Sequence, residues 1–407
     1  MNFETTVQKR LQRNIWKYTL LLIANKRIFI AILGAYYLTI PDVNAAGIGI
    51  ILLAGSLAGF VFEIPSGYVS DKIGHKQAIV ISRLFILLST ILFLIANNIA
   101  FLILAGIALS AGIAFHSGTG SAFMHETLRG LQREKDYASV MGKISSIGFA
   151  VPVVLMVLVP FLVGISFKLP FVMSLVIDLI GLFASISLMN PPVIQEEIKE
   201  IGVTNFRQVM HEGYRINFFP FALFSGIIAG VLFIVGGFRA PYQAFLEIPV
   251  IWYGVFFGIG RALASLMLVY SGKIRDITTI YSFYKFQLIL YAVFILMLAT
   301  ISTWWIVVIA FIVTNAFRWG LSRVDNSYMM DIIRTSKFKA TLISTQAQIE
   351  HVVAAVTSFG MGFVIERVSY QYGFLYLGIG FLVILIPLYL HILKQRRAGV
   401  YDRLVKD

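Results

Sequence analysis

Apolar runs of about twenty residues recur along this chain from Ile15 to Leu393, separated by short polar connectors. A helix needs roughly 20 apolar residues to cross about 30 Å of hydrocarbon. Breaks at Pro, Asn, Asp and charge clusters divide the chain into twelve such segments. They fall near residues 15–40, 47–70, 78–97, 99–127, 137–164 and 169–189, then 215–240, 250–272, 279–300, 304–330, 339–365 and 372–393. All are expected to be helices, because an open strand cannot satisfy its backbone in lipid. The chain is therefore expected to be an all-α polytopic membrane protein. Only 13% of its 407 residues are charged, about half the ~25% of a soluble protein. Its mean hydropathy is +0.85. That excludes a soluble domain carried on a single anchor.

A net charge of +13 in a soluble protein would suggest nucleic acid. Here the positions of the cations decide otherwise. With the N-terminus inside, only Lys168, Arg239 and Arg367 fall on the outer side, and Lys26, Arg27, Arg261, Arg318 and Arg323 fall within spans. The other Lys and Arg residues go to cytoplasmic loops, helix ends and tails, a strong positive-inside signal. No nucleic-acid partner is expected. Both termini are placed in the cytoplasm, and the bilayer is the surrounding medium. The basic first 14 residues resemble a signal peptide only superficially, because further spans follow. The chain has no cysteine, which removes disulfides and thiolate metal sites. No metal or other cofactor is expected.

The longest hydrophilic stretch, 190–214, separates a six-span half (1–189) from a second (215–393), and a basic tail (394–407) follows. Internal repetition supports the division. "SGYVSD" (66–71) ends the second span and "SGKIRD" (271–276) ends the eighth, where a duplication of six spans would put them.

At "GYVSDKIGHKQ" (67–77) the sequence resembles the signature of the major facilitator superfamily, Gly-x-x-x-Asp-Arg/Lys-x-Gly-Arg-Lys/Arg. Gly67, Asp71, Lys72, Gly74 and Lys76 match, and His75 replaces the usual Arg. "FEIPSG" (62–67), "HSGTGSAFMHETL" (116–128) and "KATLIST" (339–345) are similar to stretches of bacterial members. The resemblance implies twelve helices in two pseudo-symmetric halves around a central cavity, a monomer, and a bacterial cytoplasmic membrane. It also implies a latch that holds the cytoplasmic side closed. In that latch Asp71 faces the start of span eleven, and position 75 relays to an acid ending span four, here Glu126.

The residues carry part of this reading themselves. Gly67 lies at helical spacing from Glu63 and Asp71 and would permit a close helix approach. Gly74 would allow a tight turn. Asp71 sits at a helix C-terminus, where the dipole is negative and a carboxylate wants a partner. An imidazole titrates near physiological pH where a guanidinium does not, so His75 could make the latch pH-sensitive. Alternatively Lys76 takes the role and His75 is solvated. Two family patterns of proton-driven drug exporters are missing. Gly106 stands near the span-four Arg position, and "GFAVP" (148–152) only hints at the span-five motif.

The charges within spans are the candidate site. If Lys26 and Arg27 marked the cytoplasmic edge, the rest of the first span, Ile28 to Ile40, would be too short to cross. The pair is therefore expected near mid-membrane. Each cation there costs roughly 2.5–3.5 kcal/mol, which calls for a wet cavity, a carboxylate partner, or both. Arg261 shares a helix face with Tyr253 and Phe257, and Arg318 shares one with Asn315, Ser322 and Asp325. These cations with Tyr253, Phe257 and Asn315 are the expected substrate-binding residues, and they favour an anionic or zwitterionic solute. Glu350 with His351, and then Glu63, are the candidates for proton coupling. A carboxyl out of water resists ionisation while nearby cations favour it. Glu63 could equally serve the turn of its own helix. Asp178, central in span six, receives no functional account beyond a buried pair or a protonated acid.

The leading expectation is a secondary active transporter working by alternating access, coupled to protons. Two alternatives stand beside it. A lipophilic-drug exporter would rely on aromatics such as Tyr36, Phe115, Tyr253 and Phe257, and a sensor would keep the fold without transporting. An enzyme is not expected, since no HExxH or GxSxG appears and His116 and His125 lie on different helix faces.

Overall fold

The computed structural model describes residues 3–191, 206–333, 336 and 338–397, and every described element is helical. Of the polar loop 190–214, residues 192–205 lie outside the described residues, as do 398–407 of the basic tail. The chain divides into two compact units. One comprises Met1–Asp42, Ala54–Ile201 and Tyr253–Val255. The other comprises Val43–Leu53, Gly202–Trp252 and Phe256–Asp407.

The helices of the first stretch are α1 (Phe3–Ala24), α2 (Leu33–Tyr37), α3 (Ala45–Ile73), α4 (His75–Ile95), α5 (Ile99–His116), α6 (Thr119–Gly130), α7 (Tyr137–Leu158) and α8 (Leu169–Ile186). There follow α9 (Phe206–Arg215), within the predicted loop, α10 (Phe218–Gly237), α11 (Arg239–Phe245), α12 (Ile251–Val269) and α13 (Ser271–Ile277). The last are α14 (Ile280–Thr300), α15 (Trp304–Gly320), α16 (Ser322–Ile332), α17 (Lys339–Arg367) and α18 (Tyr370–Arg397). Among the described residues, eleven helical segments are long and apolar enough to cross a membrane.

The first predicted span differs most. It is not a continuous helix: α1 ends at Ala24, residues 25–32 form turns, and α2 is only 5 residues long. The break falls on Lys26 and Arg27. Arg27 donates through Nη2 to the carbonyl of Ala24, satisfying one of the acceptors that a helix C-terminus leaves open. A cation there also suits the dipole. The apolar residues on either side hid this break, because Ile28, Phe29, Ala31 and Ile32 are buried as they would be in a helix. Phe29 and Tyr36 pack on Phe171 of α8, with ring centroids at 4.5 Å and 4.4 Å.

Within the first unit, α4 packs on α5 and α8, and α1 on α7 and α8. Hydroxyl-to-carbonyl bonds hold α4 to α5: Ser82 donates to Gly112 at 2.6 Å and Ser89 to Ala105 at 2.8 Å. Polar contacts of this kind do between membrane helices what apolar burial does in water. Gly67 does not make the expected close approach, because no described atom lies within 4 Å of where its Cβ would stand. Gly67 is on the exposed face of α3, and Ser66 and Ser70 occupy the packed face. Two cations that the charge count left outside the spans are buried: Arg83 is 1% exposed, and Arg239 is also shut in.

In the second unit, α10 packs closely on α17, and α14 on α18. Gly226 and Gly230, one turn apart on α10, set that approach. A Cβ on Gly230 would come within 2.7 Å of the Glu350 carbonyl and 2.8 Å of Val353 Cβ. Gly230→Leu is therefore expected to push α10 from α17 and to cost about 1–3 kcal/mol. Melting of the purified protein in detergent checks this, with Gly142→Leu as the control, since nothing lies within 4 Å of Gly142. Equal melting temperatures for the two variants would refute the close-packing account.

Candidate functional site

Three arginines and three aromatic rings alternate through the second unit. Arg239, at the start of α11, places its Cζ 4.5 Å from the centroid of Phe257 on α12. One turn along α12, Arg261 approaches the same ring at 4.9 Å and then Trp319 of α15 at 4.2 Å. Arg318 follows, 5.4 Å from Trp319 and 5.5 Å from Phe233 of α10. All of these distances fall within the range of cation–π attraction, worth ~0.5–2 kcal/mol per contact. The helical period explains the alternation. Phe257 and Arg261 are four apart on α12, and Arg318 adjoins Trp319, so each helix presents a cation and a ring to its neighbours.

Arg318 closes the ladder. Its Nη2 lies 3.4 Å from Glu350 Oε1 on α17, and its Nη1 donates to the Leu232 carbonyl at 3.3 Å. Both contacts are at the long end for hydrogen bonds. The two side chains keep 20% and 34% of their surface exposed. Asn315, one turn before Arg318, leans on Gly260, where a Cβ would come within 2.8 Å of its Nδ2. That Nδ2 is shut from solvent and has no hydrogen-bond partner among the described residues. The structure thus brings Arg261, Arg318, Phe257 and Glu350 together, with Asn315 beside them. His351 is half-buried next to Glu350. Tyr253 is fully buried and groups with the first unit.

In the first unit, Arg27 makes a bidentate pair with Asp178 of α8, 2.7 Å at each oxygen. Thr90 of α4 donates to the same carboxylate at 2.6 Å and accepts from Arg27 Nη1 at 3.2 Å. Asp178 therefore has the partner that the sequence did not reveal. Nearby, Arg83 donates to Asn25 Oδ1 at 2.9 Å, while its Nε and Nη1 find no partner among the described residues. Lys26 is half-buried beside Arg27, and Glu63 is half-buried on α3.

The signature motif has a geometry of its own. His75 Nε2 lies 3.2 Å from Glu126 Oε1, and its Nδ1 is 2.9 Å from the Ser70 hydroxyl. Thr119 in turn donates to Ser70 at 3.0 Å. If Ser70 donates to Nδ1, a neutral imidazole serves this chain and its Nε2–H points at Glu126. Gly74 takes a φ of 100° between α3 and α4, a conformation open to glycine and strained for other residues. Asp71 and Lys72 are exposed and Lys76 half-buried, and none of the three has an ion pair among the described residues. The second repeat carries a matching pair, Arg275 of α13 with Asp331 of α16. Asp331 lies as far beyond "SGKIRD" as Glu126 lies beyond "SGYVSD".

Sequence reasoning missed Arg83, Arg239, Trp319 and the partner of Asp178. Arg83 alone had a local signal. It lies on one helical stripe with Ile79, Ser82, Ile86, Ser89, Thr90 and Phe93, all buried.

A family model described as Major Facilitator Superfamily matches residues 18–349. Among solved structures, the nucleoside transporter NupG in an aspartate-to-alanine variant superposes with a TM-score of 0.76 at 14% identity. That match covers 94% of this chain and 99% of the other. Unsubstituted NupG gives 0.72 at 14% identity, covering 93% and 98%. A bacterial homologue of the human lysosomal transporter Spinster, in an inward-facing and occupied conformation, gives 0.67 at 12% identity and covers 97% of each chain. At these identities the likeness is one of fold. Among curated proteins, none matches the chain by sequence.

Proposed function

Because the chain belongs to the Major Facilitator Superfamily, we propose that it is a proton-coupled secondary active transporter of a small anionic or zwitterionic solute. It works by alternating access as a monomer in a bacterial cytoplasmic membrane, with both termini inside. The observation that carries the substrate class is Arg318. A guanidinium offers a rigid fork of donors suited to a carboxylate or phosphate. Among the described residues this one makes two hydrogen bonds, both long, is partly open to solvent, and ends a ladder of two further arginines.

The same ladder argues against the drug-exporter reading. Phe257 already has two guanidinium groups against its ring. Tyr36 is buried and donates to the Phe93 carbonyl at 2.6 Å, and Phe115 is buried against Phe85. Of the aromatics that an exporter would present to a lipophilic ligand, these three are committed to packing.

The test is a melting screen of the purified protein in detergent, followed by counterflow in proteoliposomes. Phosphate, lactate, citrate, glutamate and glycine are the probes, with tetraphenylphosphonium as the lipophilic cation. An anion or zwitterion is expected to raise the melting temperature and to exchange across the membrane. Stabilisation by tetraphenylphosphonium alone would overturn the reading. Binding without counterflow would favour a sensor.

A further inference from the structure

Arg83 of α4 is the largest fully buried side chain among the described residues. It lies one turn from Ile79, part of an apolar core with Tyr18, Leu21 and Phe123. Its Nη2 is spent on Asn25, but Nε and Nη1 are shut from solvent and bond nothing among the described residues. Nη1 faces α8, 3.8 Å from where a Cβ on Gly181 would stand. His116, the last residue of α5, carries a similar orphan, an Nδ1 shut from solvent without a partner among the described residues. Its ring stacks on Tyr18 with centroids 6.4 Å apart, and it lies near enough to feel both Arg83 and Lys26.

A buried lysine can shed its proton, but a guanidinium keeps its charge, so Arg83 needs a counter-charge. Between them α4, α5, α7 and α8 carry a single acid, Asp178. Arg27 takes both oxygens of that carboxylate, and Thr90 shares one. On α6, Glu126 is paired with His75. One carboxylate therefore stands against two neighbouring guanidinium groups. Tyr18 and Asn25 offer polar atoms without charge. The carbonyl ends of α1 and α5 favour a cation nearby, yet neither orphan nitrogen of Arg83 bonds them. Buried donors left unmade and a buried charge left uncompensated are both costly. A bound anion removes both costs together.

We propose that Arg83, with His116 and Asn25, forms a binding site for a small monovalent anion, chloride or bromide, inside the first unit. Arg83 supplies the charge and N–H donors, and a neutral imidazole can present Nδ1–H. Asn25 orients the guanidinium through its Oδ1. Size argues for an ion over an organic acid, because a Cβ on Gly181 would come within 2.7 Å of Ala24 Cβ, so α1 and α8 lie close there. The chain leaves its helix just after His116, at the exposed Ser117 and Gly118, which opens the imidazole side to exchange. The site is separate from the ladder of Arg239, Arg261 and Arg318, which belongs to the second unit. It stands whether or not Arg318 binds the transported solute.

The test uses the full-length protein in detergent, with sodium chloride replacing sodium gluconate at constant ionic strength. Radioactive chloride is expected to bind saturably, near one ion per chain, with bromide competing and gluconate not. Chloride should also raise the melting temperature of the wild type. Arg83→Gln should weaken chloride binding by about tenfold or more, the loss of a hydrogen bond to a charged group. His116→Phe keeps the ring and should weaken it by a few-fold, while Arg318→Ala should leave it unchanged. Bromide anomalous scattering from wild-type crystals, expected beside Arg83, is the check that needs no variant to fold. A wild type without saturable chloride binding would overturn the proposal, as would undiminished binding in folded Arg83→Gln. Loss of chloride binding in Arg318→Ala alone would place the ion on the ladder and overturn it too.

Discussion

Replacing Asp178 with alanine is expected to destabilise the protein by about 3–5 kcal/mol, the range for breaking one side of a buried ion pair. The loss comes less from the attraction removed than from the charge left behind. Arg27 is buried, and its two Nη atoms spend their bonds on the two oxygens of Asp178, the Thr90 hydroxyl and the Ala24 carbonyl. Without the carboxylate, that guanidinium keeps only neutral acceptors, and Arg83 lies near enough to repel it. Thr90 loses its shorter acceptor as well and keeps only the Ile86 carbonyl at 3.2 Å. Arg27→Met together with Asp178→Leu should recover most of the loss, because an apolar pair of similar volume avoids both uncompensated charges. Unfolding by SDS in mixed micelles measures all four members of the cycle. If the double variant loses as much as the two single variants combined, the residues are uncoupled and the pairing is wrong.

That prediction also shows where the sequence stopped being informative. The helical architecture was readable because lipid leaves the backbone so few options. Ten of the twelve predicted segments coincide with helices to within a few residues. The seventh extends past its predicted end into α11, and the first is broken. No local signal marks that break: the partner of Arg27 lies 151 positions away, and the buried residues after it look like a continuing span. The same limit applies to the ladder. Arg261 and Arg318 stand out in the sequence as cations within spans, and Phe257 as a neighbour of Arg261 on its helix. Trp319 and Arg239 join only when α11, α12 and α15 come together. Arg83 is different, since its stripe of buried neighbours was present in the sequence. Counting it with the cytoplasmic cations concealed it.

Arg318→Ala is expected to weaken anion binding by about ten- to a hundredfold, since a hydrogen bond to a charged group is worth ~1.5–3 kcal/mol and each 1.4 kcal/mol is about tenfold. Arg318→Lys should recover only part, because an ammonium keeps the charge but loses the planar fork. Glu350→Gln should act in the opposite direction. Glu350 lies against the guanidinium that an incoming carboxylate would need, so under the anion reading it would compete with the substrate. The pair is long and partly exposed, where such contacts are worth ~0.2–1 kcal/mol. Removing the charge should therefore tighten anion binding by a few-fold, up to about fivefold. Titrations on the anion that best stabilises the wild type measure both effects. A Glu350 that merely supported the fold would weaken binding when neutralised, and a Glu350 that contacted a cationic substrate would abolish it. The direction of that change therefore separates an anion site guarded by its own carboxylate from either alternative.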